Sequence, residues 1–276
     1  MAEHIARIML VLREQGKTVR VTFIDDDVVT RANVPRQRFC EAEIGAPKAA
    51  ALALRYNAAW GLDISAIIAR FNPAMVTNTN GYGTLTLLVG CVDNSEARAS
   101  IAQVLQQNHN APFPRSWWLD AGNFEDAGQV ILGCEAREAH LRDMFTSPGI
   151  CNRLPSPALI QPDLLVPQPE ERRAHDLSCA QMAAANAQSL VINQAMAMIM
   201  TQYLVALLLT GALRHFATYV NLPAGSMRSL YVTPQSVATA LKRPRTWMRI
   251  PAKGDATSQP AGEAIEDDED FDGEEE

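Results

Sequence analysis

Acidic and basic side chains stand at spacings that could bind a phosphorylated ligand. Asp25 directly follows a β-rich run, and Asp93 follows a short apolar run. Two cationic residues, Arg36 and Lys48, lie between them along the chain. Cationic side chains neutralise phosphate oxygens, and protein-bound Mg²⁺ prefers one or two carboxylates together with phosphate oxygens. Residues of these types could therefore take part in chemistry on a phosphate-bearing ligand.

Such residues act together only if the elements that carry them share a sheet. The hydropathy pattern alternates between helical and strand-like periods, which predicts an α/β sheet with right-handed crossovers. Ligands of such sheets bind beyond the carboxyl ends of the strands, where Asp25 and Asp93 both stand. The predicted helices are 2–15, 47–60 and 95–108, and the predicted strands are 19–24, 64–71, 85–91, 116–120 and 128–134.

Local signals describe several of these elements further. Gly16 is expected to end the first helix, and Ser95 is expected to cap the third. Residues 28–46 have the composition of a loop with little regular structure. The continuous apolar run Leu85–Cys91 predicts a central parallel strand that is covered on both faces. Asp93 would then follow a central strand.

The second half of the chain has fewer regular signals. Prolines crowd the stretch between 142 and 173, which predicts an extended crossing segment or a flexible lid. A long helix over 176–213 and a hairpin over 215–233 are expected to follow. We therefore expect a nucleotide-binding core at 1–141, a Pro-rich crossing segment at 142–175, the long helix and C-terminal hairpin of the same domain at 176–240, and a terminal segment at 241–276.

Charge is distributed unevenly along the chain. The formal net charge is -7, but residues 254–276 carry eleven acidic side chains and no Lys or Arg, so the preceding residues are mildly basic. A run of like charges repels itself and buries little apolar surface, so this acidic tail is expected to be disordered. The basic stretch 242–249 is expected to be solvated and to pair with the tail; contact with nucleic acid through Trp247 is the alternative.

Composition restricts the compartment and the metal content. The five cysteines are scattered without a CxxC pair, which argues against a disulfide framework and against a structural zinc site. The N-terminus lacks the layout of a signal peptide, so a cytoplasmic protein is expected. Polar residues interrupt the apolar stretch 187–213, whose unbroken part is shorter than the roughly 20 residues of a bilayer span. A buried core helix is favoured there over a membrane span, an interfacial helix or an oligomer contact.

Four short motifs follow one another: Asp25-Asp26-Asp27, Asn33-Val34-Pro35-Arg36-Gln37, Gly45-Ala46-Pro47-Lys48 and Val92-Asp93-Asn94. In order and spacing they resemble the ThiF/MoeB/ubiquitin-activating superfamily, in which an Asp-x-Asp after a strand precedes Asn-x-x-Arg-Gln, Gly-x-x-Lys and a second strand that ends in Asp-Asn. This similarity covers residues 20–98 and continues weakly to about residue 233. There, Ser178-Cys179-Ala180 and Tyr219-Val220-Asn221-Leu222 look like the ThiF-type proteins of plasmid-linked PRTRC gene clusters.

The resemblance implies a Rossmann-like sheet flanked by helices, with a site for ATP and Mg²⁺. The reaction of the family is attack on ATP by a C-terminal carboxylate, usually of a ubiquitin-like or sulfur-carrier-like protein, which yields an acyl-adenylate and pyrophosphate. Such proteins are usually homodimers. The implied roles are ribose binding for Asp25, triphosphate binding and charge stabilisation for Arg36 and Lys48, Mg²⁺ binding for Asp93, and loop ordering with nucleotide contact for Asn33 and Gln37.

Each of these residues has a simpler explanation when it is taken alone. A carboxylate after a strand is commonly a turn residue, and Asp26 is expected to be solvent-exposed. Arg36 and Lys48 would singly be surface charges. Arg98 suits either a second phosphate contact or a structural partner. Only the ordered pattern of motifs indicates that Asp25, Arg36, Lys48 and Asp93 belong to a nucleotide site.

The sequence departs from the family pattern in its glycines and cysteines. In the family, the first strand and its Gly-x-Gly-Gly-x-Gly loop precede the helix that corresponds to 2–15, and we expect both to be lacking here. A start site placed too late is favoured as the reason, and a genuine, degenerate paralogue is the alternative. The CxxC pairs of sulfur-carrier-activating relatives are missing, so no zinc is expected. Cys179, near a helix start, or Cys151, in the Pro-rich segment, could accept an acyl group, although an inert thiol is favoured for both.

Three functions compete for these observations. ATP-dependent adenylation is favoured because the four charged residues of the pattern are retained. A catalytically inactive interaction module that scaffolds a partner protein is the alternative, and the missing glycine loop favours it. An NAD-dependent oxidoreductase shares the fold class but leaves the Asn-x-x-Arg-Gln and Gly-x-x-Lys motifs without a reason.

Overall fold

The computed structural model describes residues 1–35, 37–76, 83–110, 113–124, 126–142, 144–145, 151–167 and 179–248. The helices are α1 (Ala2–Glu14), α2 (Lys48–Trp60), α3 (Ser95–Val104), α4 (Pro157–Ile160), α5 (Cys179–Leu204) and α6 (Pro234–Ala240). The strands are β1 (Thr22–Ile24), β2 (Ser65–Ile67), β3 (Thr86–Gly90), β4 (Ser116–Phe124), β5 (Ala127–Gly133), β6 (His215–Asn221) and β7 (Ser226–Tyr231). A π-helical segment, Val205–Thr210, continues α5.

The strands of the described residues form two sheets. β1 and β2 are parallel, with Thr22 opposite Ser65. The larger sheet has the order β3-β4-β5-β6-β7; its first pair is parallel and the other pairs are antiparallel. Helices flank these strands, so the predicted α/β class is confirmed.

Strand β3 lies at the edge of the larger sheet within the described residues, so the prediction of a central strand was wrong for them. Its outer side pairs with no described strand, and β1 likewise has one unpaired side. Most of β3 is only half-buried. A continuous apolar run reports that the faces of a strand are covered, but hydropathy carries no information about which backbone edge is paired.

Helices cover both faces of the larger sheet. Alternation along β5 directs Val130 and Leu132 to the face that packs against α1 and α5, and Ile131 to the opposite face. The first core contains Ile8, Leu12, Leu119, Val130, Leu132, Ile192, Met196, Ile199, Met200, Tyr203 and Leu204. The second core contains Ile131, Leu141, Met144, Leu154, Ile160, Phe216, Ala217, Val237 and Ala238.

The element boundaries follow local chemistry. Helices α1 and α2 match the predicted ranges closely, and Gly61 ends α2 in the left-handed conformation, with φ +62°. Asn94, and not Ser95, caps α3: its Oδ1 accepts the Ala97 N–H at 2.8 Å. Strands β1 and β2 have three residues each, fewer than predicted, because β propensity extends beyond the residues that find a pairing partner.

Helix α5 has one buried face and one exposed face. Ile192 and Met200 are buried against the sheet, whereas Val191 and Met198 are 60% and 52% exposed. Val191–Thr210 is long and apolar enough to cross a membrane, with a mean hydropathy of 1.5, but the core helix of a soluble protein passes the same test, and 33% of this segment is buried inside the protein. The prediction of a core helix therefore describes the inner face only.

The C-terminal part of the chain completes the larger sheet. The predicted hairpin is confirmed as β6 and β7, and β6 pairs with β5. The described part of the Pro-rich segment, 151–167, packs on this sheet: Leu154 is 2% exposed, and its carbonyl accepts the N–H groups of Cys134 and Glu135, each at 2.9 Å. This packing suits a crossing segment better than a lid. Residue 249 of the basic stretch and the acidic tail lie outside the described residues.

Candidate functional site

Asp25 lies immediately beyond β1. Its backbone N–H continues the ladder to β2 by donating to the Ile67 carbonyl at 3.2 Å. Its Oδ1 accepts the Asp27 N–H at 2.8 Å, and its Oδ2 accepts no hydrogen bond from the described residues. Burial raises the pKa of Asp25, which the Asp27 N–H and the Lys48 charge oppose. A half-buried carboxylate held in this way can accept a hydroxyl of a ligand.

Lys48 is the first residue of α2 and faces the same loop. Its Nζ lies 2.7 Å from Asp27 Oδ2, and its backbone N–H donates to the Asp27 carbonyl at 2.9 Å. The Lys48 side chain is only 14% exposed. The structure therefore brings Asp25 and Lys48 together, as the motif pattern predicts, but through Asp27, a residue to which the sequence analysis gave no role.

The loop between β1 and α2 is closed on itself. Val29 donates to the Ala46 carbonyl and Gly45 donates to the Val29 carbonyl, both at 2.8 Å. Gly45 has φ +89°, a conformation that side chains with a Cβ rarely adopt. These bonds bring the two ends of the loop together, so that Lys48 meets Asp27.

Asn33 and Gln37 order the middle of this loop. Asn33 is buried, and its Oδ1 accepts both the N–H and the hydroxyl of Thr30, at 2.8 and 2.9 Å. The Gln37 N–H donates to the Asn33 carbonyl at 2.8 Å, while its side chain is exposed. The Asn33 side chain thus holds this part of the loop in place. Arg36 lies outside the described residues.

Asp93 lies beyond β3, exposed, at the start of α3. The Asn94 amide donates to Asp93 Oδ1 at 3.3 Å while it also caps α3. One side chain therefore orients the Asp93 carboxylate and fixes the beginning of the helix. A helix N-terminus and an oriented carboxylate are both suited to a ligand that contains phosphate and a cation.

Arg70 bridges the loops after β1 and β3. Its Nε lies 3.1 Å from Asp26 Oδ2, and its Nη1 lies 3.8 Å from Glu96 Oε2 in the first turn of α3. The three carboxylates of Asp25, Asp26 and Asp27 each have an oxygen within 4.8 Å of the others. Asp26 is exposed, as predicted, but it pairs with Arg70, which the sequence analysis missed.

Arg98 and Asp120 form a second contact that supports this site. Arg98 Nε donates to Asp120 Oδ2 at 3.3 Å, and Arg98 Nη2 donates to the Val92 carbonyl at 2.8 Å. Arg98 therefore has the structural role among its two predicted roles. The sequence analysis missed Asp120, although a carboxylate inside an otherwise apolar strand is a usable signal, because such a group needs a partner.

The candidate thiols differ in their surroundings. Cys179 is the first residue of α5, and its side chain lies outside the described part of the structure. Cys151 is half-buried, its Sγ donates to the Arg153 carbonyl at 2.9 Å, and burial raises the pKa of the thiol to about 11. Because the thiolate is the nucleophile, Cys151 is a poor acyl acceptor at neutral pH.

Oriented carboxylates beyond the ends of two parallel strands, together with a lysine at a helix start, are typical of a protein that binds a phosphorylated ligand. The ThiF family model matches residues 15–236, which is most of the chain and includes every candidate residue named above. The protein therefore belongs to the ThiF family. Among curated proteins, none matches the chain significantly.

Solved structures with weaker similarity include two of E. coli MccB. The structure of MccB with MccA-N7isoASN has a TM-score of 0.42 and 14% identity, over 84% of this chain and 62% of that one. MccB with ATP has a TM-score of 0.40 and 13% identity, over 77% and 56%. Selenomethionine PaaA has a TM-score of 0.41 and 16% identity, over 76% and 55%. The chain thus spans less than two thirds of these proteins, and TM-scores of this size do not establish a common fold.

Proposed function

We propose that this protein binds ATP with Mg²⁺ and adenylates the C-terminal carboxylate of a small ubiquitin-like or sulfur-carrier-like protein. The observation that supports this proposal most is the placement of Asp25 after β1, Lys48 at the start of α2 and Asp93 after β3, in a chain of the ThiF family. Arg70 links the two regions by pairing with Asp26 and with Glu96 of α3. The pattern suits a nucleotide better than a purely structural turn, because two strands end in carboxylates and a helix begins with a lysine.

The donor set fits a nucleoside triphosphate. Asp25 Oδ2 would accept ribose hydroxyls, and Asp93 would hold Mg²⁺ together with phosphate oxygens. Lys48 would contact the phosphates, and these contacts would replace part of its ion pair with Asp27. Arg36 retains its implied role beside the triphosphate, and Gln37 retains its nucleotide contact.

The chemical step needs no covalent participation by these side chains. An oxygen of the acceptor carboxylate attacks the α-phosphorus, the bond from that phosphorus to the α–β bridging oxygen breaks, and pyrophosphate leaves with the electron pair. The Lys48 charge stabilises the negative charge that develops on the phosphoryl oxygens. Catalysis then consists mainly of positioning and charge stabilisation.

The acceptor and the assembly state belong to the same proposal. A homodimer and a role in a PRTRC gene cluster are proposed from the family resemblance alone, and a cytoplasmic location is proposed from the sequence composition. Transfer of the acyl group to Cys179 would be a second step, and loss of a thioester in Cys179→Ser tests it.

The test is pyrophosphate release by the full chain with ATP, Mg²⁺ and candidate small proteins. Asp93→Asn and Lys48→Met should each lower the rate by about 100-fold or more, the size of effect that loss of one charge-stabilising group has in other enzymes. Arg243→Gln is a matched control, since it removes an exposed cation paired with Glu138 away from the strand-end loops. Equal loss in this control, or no ATP binding by the wild type, would contradict the proposal.

A catalytically inactive scaffold is the second candidate. The pairing of Lys48 with Asp27 favours it, because the cation offered to the phosphates is already neutralised within the loop. In that case a small partner protein should bind with the same affinity to the wild type, to Lys48→Met and to Asp93→Asn. Calorimetric titration with and without ATP separates the two functions.

A further inference from the structure

A buried ion pair lies next to the loop that carries Asp93. Arg98 is 8% exposed and Asp120 is 1% exposed. The guanidinium donates in two directions, to Asp120 Oδ2 at 3.3 Å and to the Val92 carbonyl at 2.8 Å. The carbonyl that it holds belongs to the residue immediately before Asp93.

The neighbouring strand is shaped around this pair. Gly90 stands opposite Asp120 in the register of β3 and β4. A Cβ at Gly90 would lie 2.8 Å from Asp120 Oδ1 and 2.9 Å from Trp118 Nε1, so only glycine leaves room for the carboxylate. Asp120 therefore occupies one fixed place beside the end of β3.

The pair is a weak source of stability. Removing two charges from water costs several kcal/mol per ion in the interior, and the attraction between the ions rarely returns more than that. The second contact of Arg98, with the Val92 carbonyl, is what distinguishes this arrangement from a simple buried pair. That contact ties the Val92–Asn94 loop, through Arg98 of α3, to Asp120 of β4.

We propose that Arg98 and Asp120 are positioning residues, which hold the Val92–Asn94 loop so that the Asp93 carboxylate meets the metal–triphosphate in one orientation. Asp120 acts through Arg98, and Arg98 acts through the Val92 carbonyl. The inference rests on the proposed function for the identity of the ligand, but the ordering of the loop is independent of it. Supporting residues of this kind change metal affinity by about 10- to 100-fold in other proteins.

The experiment compares three variants of the full chain. Asp120→Asn keeps the shape of the side chain and removes its charge. Arg98→Lys keeps the charge but cannot reach both partners with a fixed fork of donors. Glu135→Gln is the matched control, because Glu135 is 2% exposed and pairs with Arg153 at 2.6 Å, yet it belongs to the segment that follows β5.

Two readouts are needed. The first is amide hydrogen exchange of the peptide that covers residues 91–98, which reports loop order without any ligand. The second is the Mg²⁺ concentration for half-maximal ATP binding. In Asp120→Asn and Arg98→Lys we expect exchange at least about tenfold faster and a Mg²⁺ requirement about tenfold higher. Glu135→Gln should change neither.

The outcomes separate the two proposals. If exchange accelerates in both variants but the wild type binds no ATP, the positioning role stands and the proposed function fails. If the wild type binds ATP and the variants keep its exchange and its Mg²⁺ requirement, the positioning proposal is overturned. Equal changes in Glu135→Gln would also overturn it, because general destabilisation would then explain the effect.

Discussion

The folding stability of this protein should depend on pH through Asp120. Burial raises the pKa of this carboxyl from its ordinary 3.8 to about 6, even though Arg98 and the Trp118 indole oppose the rise. In the unfolded chain the group regains its ordinary pKa. Between the two values the native state keeps a proton that the unfolded state has already released.

The direction and the size of the pH effect on stability follow from this retained proton. Because the native state binds more protons, the free energy of unfolding falls as pH rises from about 4 to about 6, by roughly 1.4 kcal/mol per pH unit. Over a pKa difference of about two units, the loss is on the order of 3 kcal/mol. Above about pH 6 the contribution of Asp120 is constant. This is a large part of the roughly 5–15 kcal/mol that holds a domain folded.

Urea unfolding of the wild type and of Asp120→Asn at a series of pH values measures this effect. The asparagine is neutral in both states, so the difference between the two proteins isolates the carboxyl. We expect the wild type to lose stability relative to the variant between about pH 4 and about pH 6. Parallel curves would refute the reasoning, and so would a wild type that gains stability over this range, since Arg98 would then hold Asp120 ionised.

Three further predictions concern packing, capping and thiol reactivity. A Cβ at Gly133 would lie 1.9 Å from the Pro155 carbonyl oxygen. Overpacking a core costs about 1–3 kcal/mol, so Gly133→Ala should lower the free energy of unfolding in urea by at least this amount. Asn94→Ala removes the cap of α3 and should lower the free energy of unfolding, measured by thermal denaturation, by about 1 kcal/mol. Cys134 is 0% exposed and burial raises the pKa of its thiol, so alkylation followed by mass spectrometry should be slower at Cys134 than at the exposed Cys40 near neutral pH.

Each of these has a matched comparison. Gly122→Ala should be tolerated better than the change at Gly133, because the nearest atom to a Cβ there is 3.5 Å away. Asn94→Asp should retain most of the cap, since an aspartate also accepts hydrogen bonds at a helix start. Cys134 and Cys40 should react at similar rates after denaturation. The packing argument would be contradicted by an equal loss of stability at the two glycines. The capping argument would be contradicted if Asn94→Asp lost as much stability as Asn94→Ala, and the thiol argument by equal alkylation rates in the native protein.

The sequence predicted the helices better than the strands. Helices α1 and α2 are set by local features, namely apolar spacing and the left-handed glycine that follows each of them, and both features are visible in the sequence. Strand extent depends on a partner that is distant along the chain. The three residues of β1 pair only because β2 lies beside them, and no residue within 19–24 indicates where that pairing ends.

The candidate site was predictable at the level of its motifs but not of its contacts. Asp25, Lys48 and Asp93 all lie at element ends, where the pattern places them. The partners of these residues follow from tertiary packing: Asp27 faces Lys48 because the loop between them is closed, and Arg98 reaches the Val92 carbonyl because Asp120 lies on the next strand. Neither contact has a fixed spacing in the sequence.

Charge balance explains why the proposed reaction requires a metal ion. The two loops together present four carboxylates, those of Asp25–Asp27 and Asp93, against the cations Lys48 and Arg70. A triphosphate adds several further negative charges, and like charges at close range repel strongly where water is partly excluded. Arg36 alone does not offset this excess. Under the proposed function, Mg²⁺ held by Asp93 would supply the missing positive charge, so nucleotide binding should depend steeply on Mg²⁺, and neutral substitutions at Asp26 should weaken that dependence.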